Sequence, residues 1–250
     1  MLRLRSIAIA VFAMMALAAA TPLHAQSFSE GQRREIERIV KDYLVAHPEV
    51  LQEVVAEIEK RQAAADAGRA KDALSKHREA LFNSSRQVTL GNPQGDITLV
   101  EFFDYNCGYC KRALGDMMEL LKSDPKLRIV LKEFPVLGPS SIEAAQVAVA
   151  VRMQDKSGKK YLEFHQKLLT GRGQVDKARA LAAAKDVGLD VARIEKDLQS
   201  PEIKATLEEG MKLAEALNIT GTPSYVIGES VVPGAIGVAG LKEQIEMARR

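Results

Sequence analysis

The sequence predicts an α/β domain preceded by an all-helical region, and three observations carry that prediction. A strand–helix–strand run occupies residues 97–134, a block of helices follows over 140–219, and two short strands and a helix close the chain. Residues 29–82, by contrast, carry helical spacing with no strand signal and are dense in Ala, Glu, Lys, Arg and Gln. The third observation is size and composition: 250 residues, 46% hydrophobic and 27% charged, fit one or two globular domains. Collagen, a disordered chain and a multi-pass membrane protein are excluded. So is a disulfide-framed mini-protein, because two Cys cannot staple a fold of this length.

Taken in order, the first 25 residues read as a cleaved secretory signal peptide. Arg3 and Arg5 precede 14 uninterrupted apolar residues, Ile7 to Ala20, and Pro22 and Ala25 stand at the expected cut. A membrane span needs roughly 20 apolar residues, so export, with a periplasmic destination, is the expectation. Two helices are expected next. Ile36, Ile39, Val40, Tyr43 and Leu44 recur at helical spacing from Glu30 to Ala46, with Ser29 as N-cap, and Pro48 suits the first position of a second helix. Run unbroken to Leu81, that second helix would be about 50 Å long, with Gly68 the place for a bend. The composition changes near residue 85, which places a domain boundary between a helical region, 26–85, and a catalytic domain, 86–250.

In that second region Gln87–Leu90 reads as a short strand, Gly91–Asp96 as a turn cluster and Ile97–Phe103 as a strong strand. Leu114, Met117, Met118 and Leu121 give Cys107–Lys122 a helical period, Asp124-Pro125 stops it, and Leu127–Phe134 is a second apolar strand. Residues 140–219 are helical with breaks at Ser157-Gly158, Gly171–Gly173, Gly188 and Ser200-Pro201. Ser224–Ile227 and Val231-Val232 have the spacing of a hairpin, and a helix from Val238 to Arg249 ends the chain.

Charge points away from polyanions. The full chain has 35 Lys+Arg and 33 Asp+Glu, and removing the leader takes two Arg and no acid, leaving 33 of each. A mature net charge of zero leaves no electrostatic footprint for nucleic acid and no polybasic membrane patch.

The chemistry is carried by Cys107-Gly108-Tyr109-Cys110, which contains both cysteines and sits where a strand passes into a helix. At a helix N-terminus the first thiol faces unpaired N–H groups and the positive end of the dipole, which favours thiolate. The second, one turn on, can close a small disulfide, so Cys107 is the expected nucleophile and Cys110 the resolving thiol. Three other uses of the pair remain open at this point. A structural disulfide would close too short a loop to stabilise much. A zinc site lacks ligands, since His47, His77 and His165 stand at no ligand spacing. A two-thiolate Cu(I) site needs nothing else. A second motif, Gly221-Thr222-Pro223, puts a Pro at the very start of a strand, a natural place for a cis bond.

With Glu101-Phe102-Phe103-Asp104-Tyr105-Asn106 leading into the Cys pair and Gly221-Thr222-Pro223 far downstream, residues 87–250 resemble the thioredoxin-fold disulfide oxidoreductases of the DsbA-like family. The resemblance implies a thioredoxin fold with a helical insertion. It implies that Cys107 attacks substrate disulfides, Cys110 resolves the adduct, Pro223 is cis and the Thr222 backbone pairs with a bound substrate strand. It places Glu101 beneath the pair as a buried carboxylate assisting proton transfer at Cys110. The Gly-Tyr dipeptide and the Thr before Pro look like the DsbC-type isomerases, whose dimerisation segment, however, is largely β. The helical N-terminal region looks instead like that of the suppressor-of-copper-sensitivity ScsC proteins. The activity so implied is that of an isomerase or reductase of protein disulfides, with dithiol oxidation and copper tolerance as alternatives. It needs no cofactor and no metal, and a membrane redox partner would restore the pair.

The stripe Ile36, Ile39, Val40, Tyr43, Leu44, Leu51, Val54, Val55 and Ile58 must be covered, either by the catalytic domain or by other copies of itself. Self-association is the expectation, and the ScsC resemblance favours a trimer over a dimer.

Overall fold

In the computed structural model, residues 28–250 are described, the side chains of Ala63 and Ala67 excepted, and the expected signal peptide lies outside them. The helices come first because their signals are local. Helix α1 (Glu30–Ala46) starts on a capping box: Gln32 N–H donates to Ser29 Oγ at 3.3 Å and Ser29 N–H donates to Gln32 Oε1 at 2.9 Å. His47 caps its end, its N–H donating to Tyr43 O at 2.9 Å, and Pro48 opens α2 (Pro48–Lys76), where a missing N–H is no loss. The expected run to Leu81 breaks five residues earlier. After Lys76 the backbone leaves helical geometry at His77, and a separate short helix α3 (Arg78–Phe82) follows. The 29 residues of α2 span about 43 Å, and Gly68 lies inside it.

The remaining elements are β1 (Val88–Gly91), β2 (Ile97–Phe103), α4 (Gly108–Ser123), β3 (Leu127–Glu133), α5 (Pro139–Gln154), α6 (Lys159–Thr170), α7 (Lys177–Asp186), α8 (Val191–Asp197), α9 (Pro201–Ala216), β4 (Ser224–Ile227), β5 (Ser230–Pro233) and α10 (Gly237–Ala248). The strands form one sheet in the order β1-β3-β2-β4-β5. Only β2 and β3 are parallel, as the α4 crossover requires; the hairpin β4–β5 and the edge strand β1 are antiparallel. This is a DsbA-like thioredoxin fold, with α5–α9 inserted between β3 and β4.

Strand alternation divides β2 between two cores. Leu99 and Phe103 face one side with Leu114, Met117 and Leu120 of α4, Leu241 and Ile245 of α10 and the inner faces of the insertion helices. Val100 and Phe102 face the other, where Leu74 of α2, Leu81 and Phe82 of α3, and Leu213 and Leu217 of α9 cover them. Lys132 reinforces that cover: its Nζ, buried with the stem, donates to Ala80 O at 2.7 Å and Glu209 at 3.2 Å. Helix α9 lies so close to the sheet that a Cβ on Gly210 would meet Glu133 O at 2.5 Å, which only glycine permits.

Among the described residues the chain falls into two units, 28–61 and Gln62–Arg250, so the end of α2 and α3 go with the sheet. The physical reason is the second core: the end of α2 and all of α3 cover one face of the sheet. Within the described part of the first unit no residue of α1 is buried, and Ile39, Tyr43, Val55 and Ile58 each leave more than half of their surface exposed.

Candidate active site

The site forms where β2 ends. Phe103 closes the strand, Asp104–Asn106 make a turn in which Cys107 N–H donates to Asp104 O at 3.1 Å, and Cys107 becomes the N-cap of α4 with extended backbone (φ −77°, ψ 119°). No side chain caps this helix, so its first N–H groups are left for the sulfur. Gly108 and Tyr109 face outward; the Tyr109 ring is stacked under the Arg112 guanidinium at 4.3 Å. Cys110, one turn in, is fully buried, whereas Cys107 keeps 6% of its surface. Cys107 is thus less open than a free helix-terminal thiol, yet it alone of the pair can meet another molecule.

The second motif arrives from across the sheet. Antiparallel pairing of β4 with β2 sets Tyr225 opposite Glu101 and Ser224 opposite Phe102, which carries the preceding loop to the sulfurs. The Thr222–Pro223 peptide is cis, and Cys107 Sγ lies 3.1 Å from Thr222 O. Ser224 Oγ donates to Gly221 O at 2.7 Å and Gly234 N–H donates to Pro223 O at 2.9 Å, fixing the loop from both ends. Motifs 115 residues apart in sequence thus share one site.

The two sulfurs have opposite affinities for a proton. Cys107 is lowered to about 5, first by the hydrogen bond from the Cys110 thiol, then by the Thr222 hydroxyl and the N–H groups of Cys110 and Tyr109, against an opposing push from burial. The Thr222 carbonyl works the other way, because it can only accept from the protonated thiol. The same Cys110 hydrogen bond, together with burial and the nearby Glu101, drives the Cys110 thiol far above its ordinary value. Glu101 itself, on the central strand, is raised to about 8, mainly by burial and then by Asp116 and Cys107. At neutral pH these directions leave a thiolate at Cys107, a thiol at Cys110 and a protonated carboxyl at Glu101.

Three features have no signal in the sequence. Asp104 and Asn106 bind partners 30–70 residues away. A buried polar chain runs beside the site: Tyr161 donates to Glu133 at 2.6 Å, and Tyr105 Oη lies 3.2 Å from both Tyr161 Oη and His165 Nδ1. Burial raises Glu133 to about 8 and lowers His165 to about 3, so both are neutral near pH 7. The third is a groove of about 850 Å3 whose floor includes Thr222 and Pro223, with β5 on one side and Asp66, Arg69 and Ala70 of α2 on the other. The Asp-x-Asn spacing before Cys107 was visible in the sequence, but nothing local indicated its partners. Among the described residues no group of three or more His, Cys, Asp and Glu side chains is placed to hold a metal, and no helix is long and apolar enough to cross a membrane.

Residues 98–246 match the DSBA-like thioredoxin domain, and residues 32–65 match the copper resistance protein ScsC N-terminal domain. A thioredoxin-like oxidoreductase from Silicibacter pomeroyi is 41% identical, covering 69% of this chain and 97% of its own, with a TM-score of 0.65. A linker-deleted ScsC variant from Proteus mirabilis is 28% identical over 90% of this chain and 98% of its own, with a TM-score of 0.66. The thiol-disulfide exchange protein α-DsbA2 from Wolbachia pipientis is 28% identical over 73% and 97%, with a TM-score of 0.67. Curated relatives include a sodium/proton antiporter of Salinispora arenicola, 26% identical over 165 residues; the chain spans 25% of that protein's length. With more than half of its length matched, the chain belongs to the DSBA-like thioredoxin-domain family, and it carries a ScsC-type N-terminal segment ahead of that domain.

Proposed function

We propose that the protein is an exported, periplasmic thiol–disulfide oxidoreductase acting on protein disulfides as an isomerase or reductase. The observation that carries the reading is the split pair: a thiolate-favouring Cys107 with residual exposure, 3.1 Å from the Thr222 carbonyl, backed by a fully buried, proton-holding Cys110. The Cys107 thiolate attacks one sulfur of a client disulfide, forms a mixed disulfide and expels the other client sulfur as a thiolate. For isomerisation, the expelled client thiolate attacks a second client disulfide, and the thiolate this frees attacks the client sulfur bonded to Cys107, forming a new client disulfide and releasing the Cys107 thiolate. For reduction, Cys110 gives up its proton, attacks Cys107 Sγ and releases the client's second thiolate, so that two electrons pass from the pair to the client. The Cys110 proton passes to the departing client thiolate; Glu101, buried near the pair and protonated at neutral pH, would relay it by giving its own proton to that thiolate and taking the one from Cys110. The client chain, as it leaves Cys107, would follow the Thr222–Pro223 loop into the groove beside it. A membrane redox partner would return the pair to its reduced state.

Self-association through residues 28–61 supports the isomerase side of this reading. The exposed stripe there is too extensive to stay in water. Several Cys107 sites on one assembly, a trimer by the ScsC likeness, would recapture a released client at high effective concentration. Binding of Cu(I) by the same two sulfurs is the weaker reading, because it demands that Cys110, the sulfur with the stronger hold on its proton, become a thiolate.

Incubation of the Cys110→Ser protein with scrambled, disulfide-bonded clients tests the assignment. Mixed disulfides through Cys107 should accumulate, at least tenfold above wild type on non-reducing gels, while Cys107→Ser forms none. Adducts on Cys107→Ser but not on Cys110→Ser would reverse the roles. A tight Cu(I) complex with no thiol exchange in the wild type would favour the copper reading.

A further inference from the structure

Asn106 immediately precedes Cys107, yet its carboxamide pairs with the backbone of Val175, 69 residues on, in the loop between α6 and α7. Val175 N–H donates to Oδ1 at 2.7 Å and Nδ2 donates to Val175 O at 2.9 Å, as a strand neighbour would. The same Nδ2 reaches Ser141 Oγ at 3.1 Å, and that hydroxyl donates to Asp104 Oδ1 at 2.8 Å. The other Asp104 oxygen accepts from Val136 and Leu137 N–H at 2.9 and 3.0 Å. Just beyond the Cys pair, Lys111 Nζ donates to Gly171 O at 3.3 Å and Gly173 O at 3.1 Å. The turn that presents Cys107 is therefore fastened from both sides to the helical insertion, with Asn106 making the shortest of the links to its 171–175 loop.

We propose that Asn106 is a positioning residue through which the insertion holds Cys107 in register with the first turn of α4; this rests on Cys107 being the attacking sulfur. The reason is distance. The helix N-terminus and its N–H groups favour a thiolate only within hydrogen-bonding range, and their influence fades within the first turn. Cys107 sits at the N-cap with no side-chain cap; its N–H donates to Asp104 O and its own O accepts from Lys111 N–H, both at 3.1 Å, so on the side before the helix its backbone rests on the Asp104–Asn106 turn. The Asn106 carboxamide fastens that turn to the insertion at the residue next to the nucleophile, without touching either sulfur.

The test is the pH dependence of Cys107 alkylation by iodoacetamide in the reduced, full-length mature protein, with thermal unfolding followed on the same samples. Asn106→Ala should move the midpoint up by about one pH unit, which cuts the alkylation rate at pH 5 about fivefold. Val175→Pro, which removes the N–H that Asn106 accepts from, should do the same, and the double variant should add little to either. An unchanged midpoint in a folded Asn106→Ala protein overturns the proposal, even if its melting temperature falls, and that variant decides alone if Val175→Pro does not fold. A wild-type midpoint at the ordinary thiol value would instead overturn the reading of Cys107 as the nucleophile, so the two failures are distinguishable.

Discussion

The two ends of helix α2 carry the same kind of sequence and meet opposite fates. In the first half Leu51, Val54, Val55 and Ile58 lie on a helical stripe, and each leaves about half or more of its surface exposed. In the second half the stripe thins, yet Leu74 is 5% exposed, and Leu81 and Phe82 beyond it are buried against Val100, Phe102 and Val130. Apolar periodicity thus marks a face that needs covering but does not say what covers it. In residues 62–250 the sheet supplies the cover; in residues 28–61 the face stays exposed. The segment that completes the second core comes from what looks, in composition, like the N-terminal region.

Truncation gives the largest separation of the two regions. Removing residues through 85 should strip Leu74, Leu81 and Phe82 from the sheet, and loss of three buried apolar side chains, about 7–15 kcal/mol together, is as large as the ~5–15 kcal/mol by which a domain of this kind is stable. The product should be insoluble or molten by near-UV circular dichroism. Removing residues through 61 should leave a folded protein that is monomeric by light scattering and still exchanges dithiols, with isomerase activity reduced. A cleanly folded protein after the longer cut would erase the distinction drawn between the halves of α2.

A single-residue contrast is sharper. Phe82→Ala should lower stability by about 3–5 kcal/mol in urea unfolding, as for a large buried aromatic. Ile39→Ala, more than half exposed, should shift the unfolding of the monomeric unit by no more than about 0.5 kcal/mol and show instead as weaker self-association in sedimentation. Equal effects of the two on unfolding, with association untouched, would mean that the α1 face is not an interface.

The smallest effect belongs to the buried unit alone and is read against pH. Glu101 binds its proton up to about pH 8 in the folded protein, whereas an unfolded Glu releases it near 4.3. Between those values the folded state holds the extra proton, so this group's contribution to stability falls as pH rises through the window. Cys107 has the opposite sign: lowered to about 5, it adds stability as pH rises from there toward the unfolded thiol value. Glu101→Gln leaves the Cys107 contribution in place and removes the loss, so the reduced variant should gain on wild type steadily from pH 5 to pH 8. A difference between the two proteins that does not vary with pH would show that Glu101 is ionised in the folded state.

Read on its own, the sequence determined every element whose signal is local. Capping at Ser29, the Pro48 restart, the periodicity of α4 and the breaks at Gly158, Gly188 and Pro201 fall where short-range propensities put them, because each depends on neighbours within about one turn. The Cys pair and the Thr222-Pro223 motif were legible for the same reason, each being a local feature with its own chemistry. Tertiary structure decided the rest. The end of α2 at Lys76, the burial of α3, the approach of α9 to β3 at Gly210 and the latch from Asn106 to Val175 all depend on which surfaces meet across 60–130 residues of chain. The opposite proton affinities of Cys107 and Cys110 are partly local, through their own hydrogen bond, and partly tertiary, through burial, Glu101 on β2 and a Thr222 hydroxyl brought in by β4. Such contacts leave no periodic or adjacent trace, because the energy that selects them comes from packing two distant surfaces and not from the conformational preference of either one.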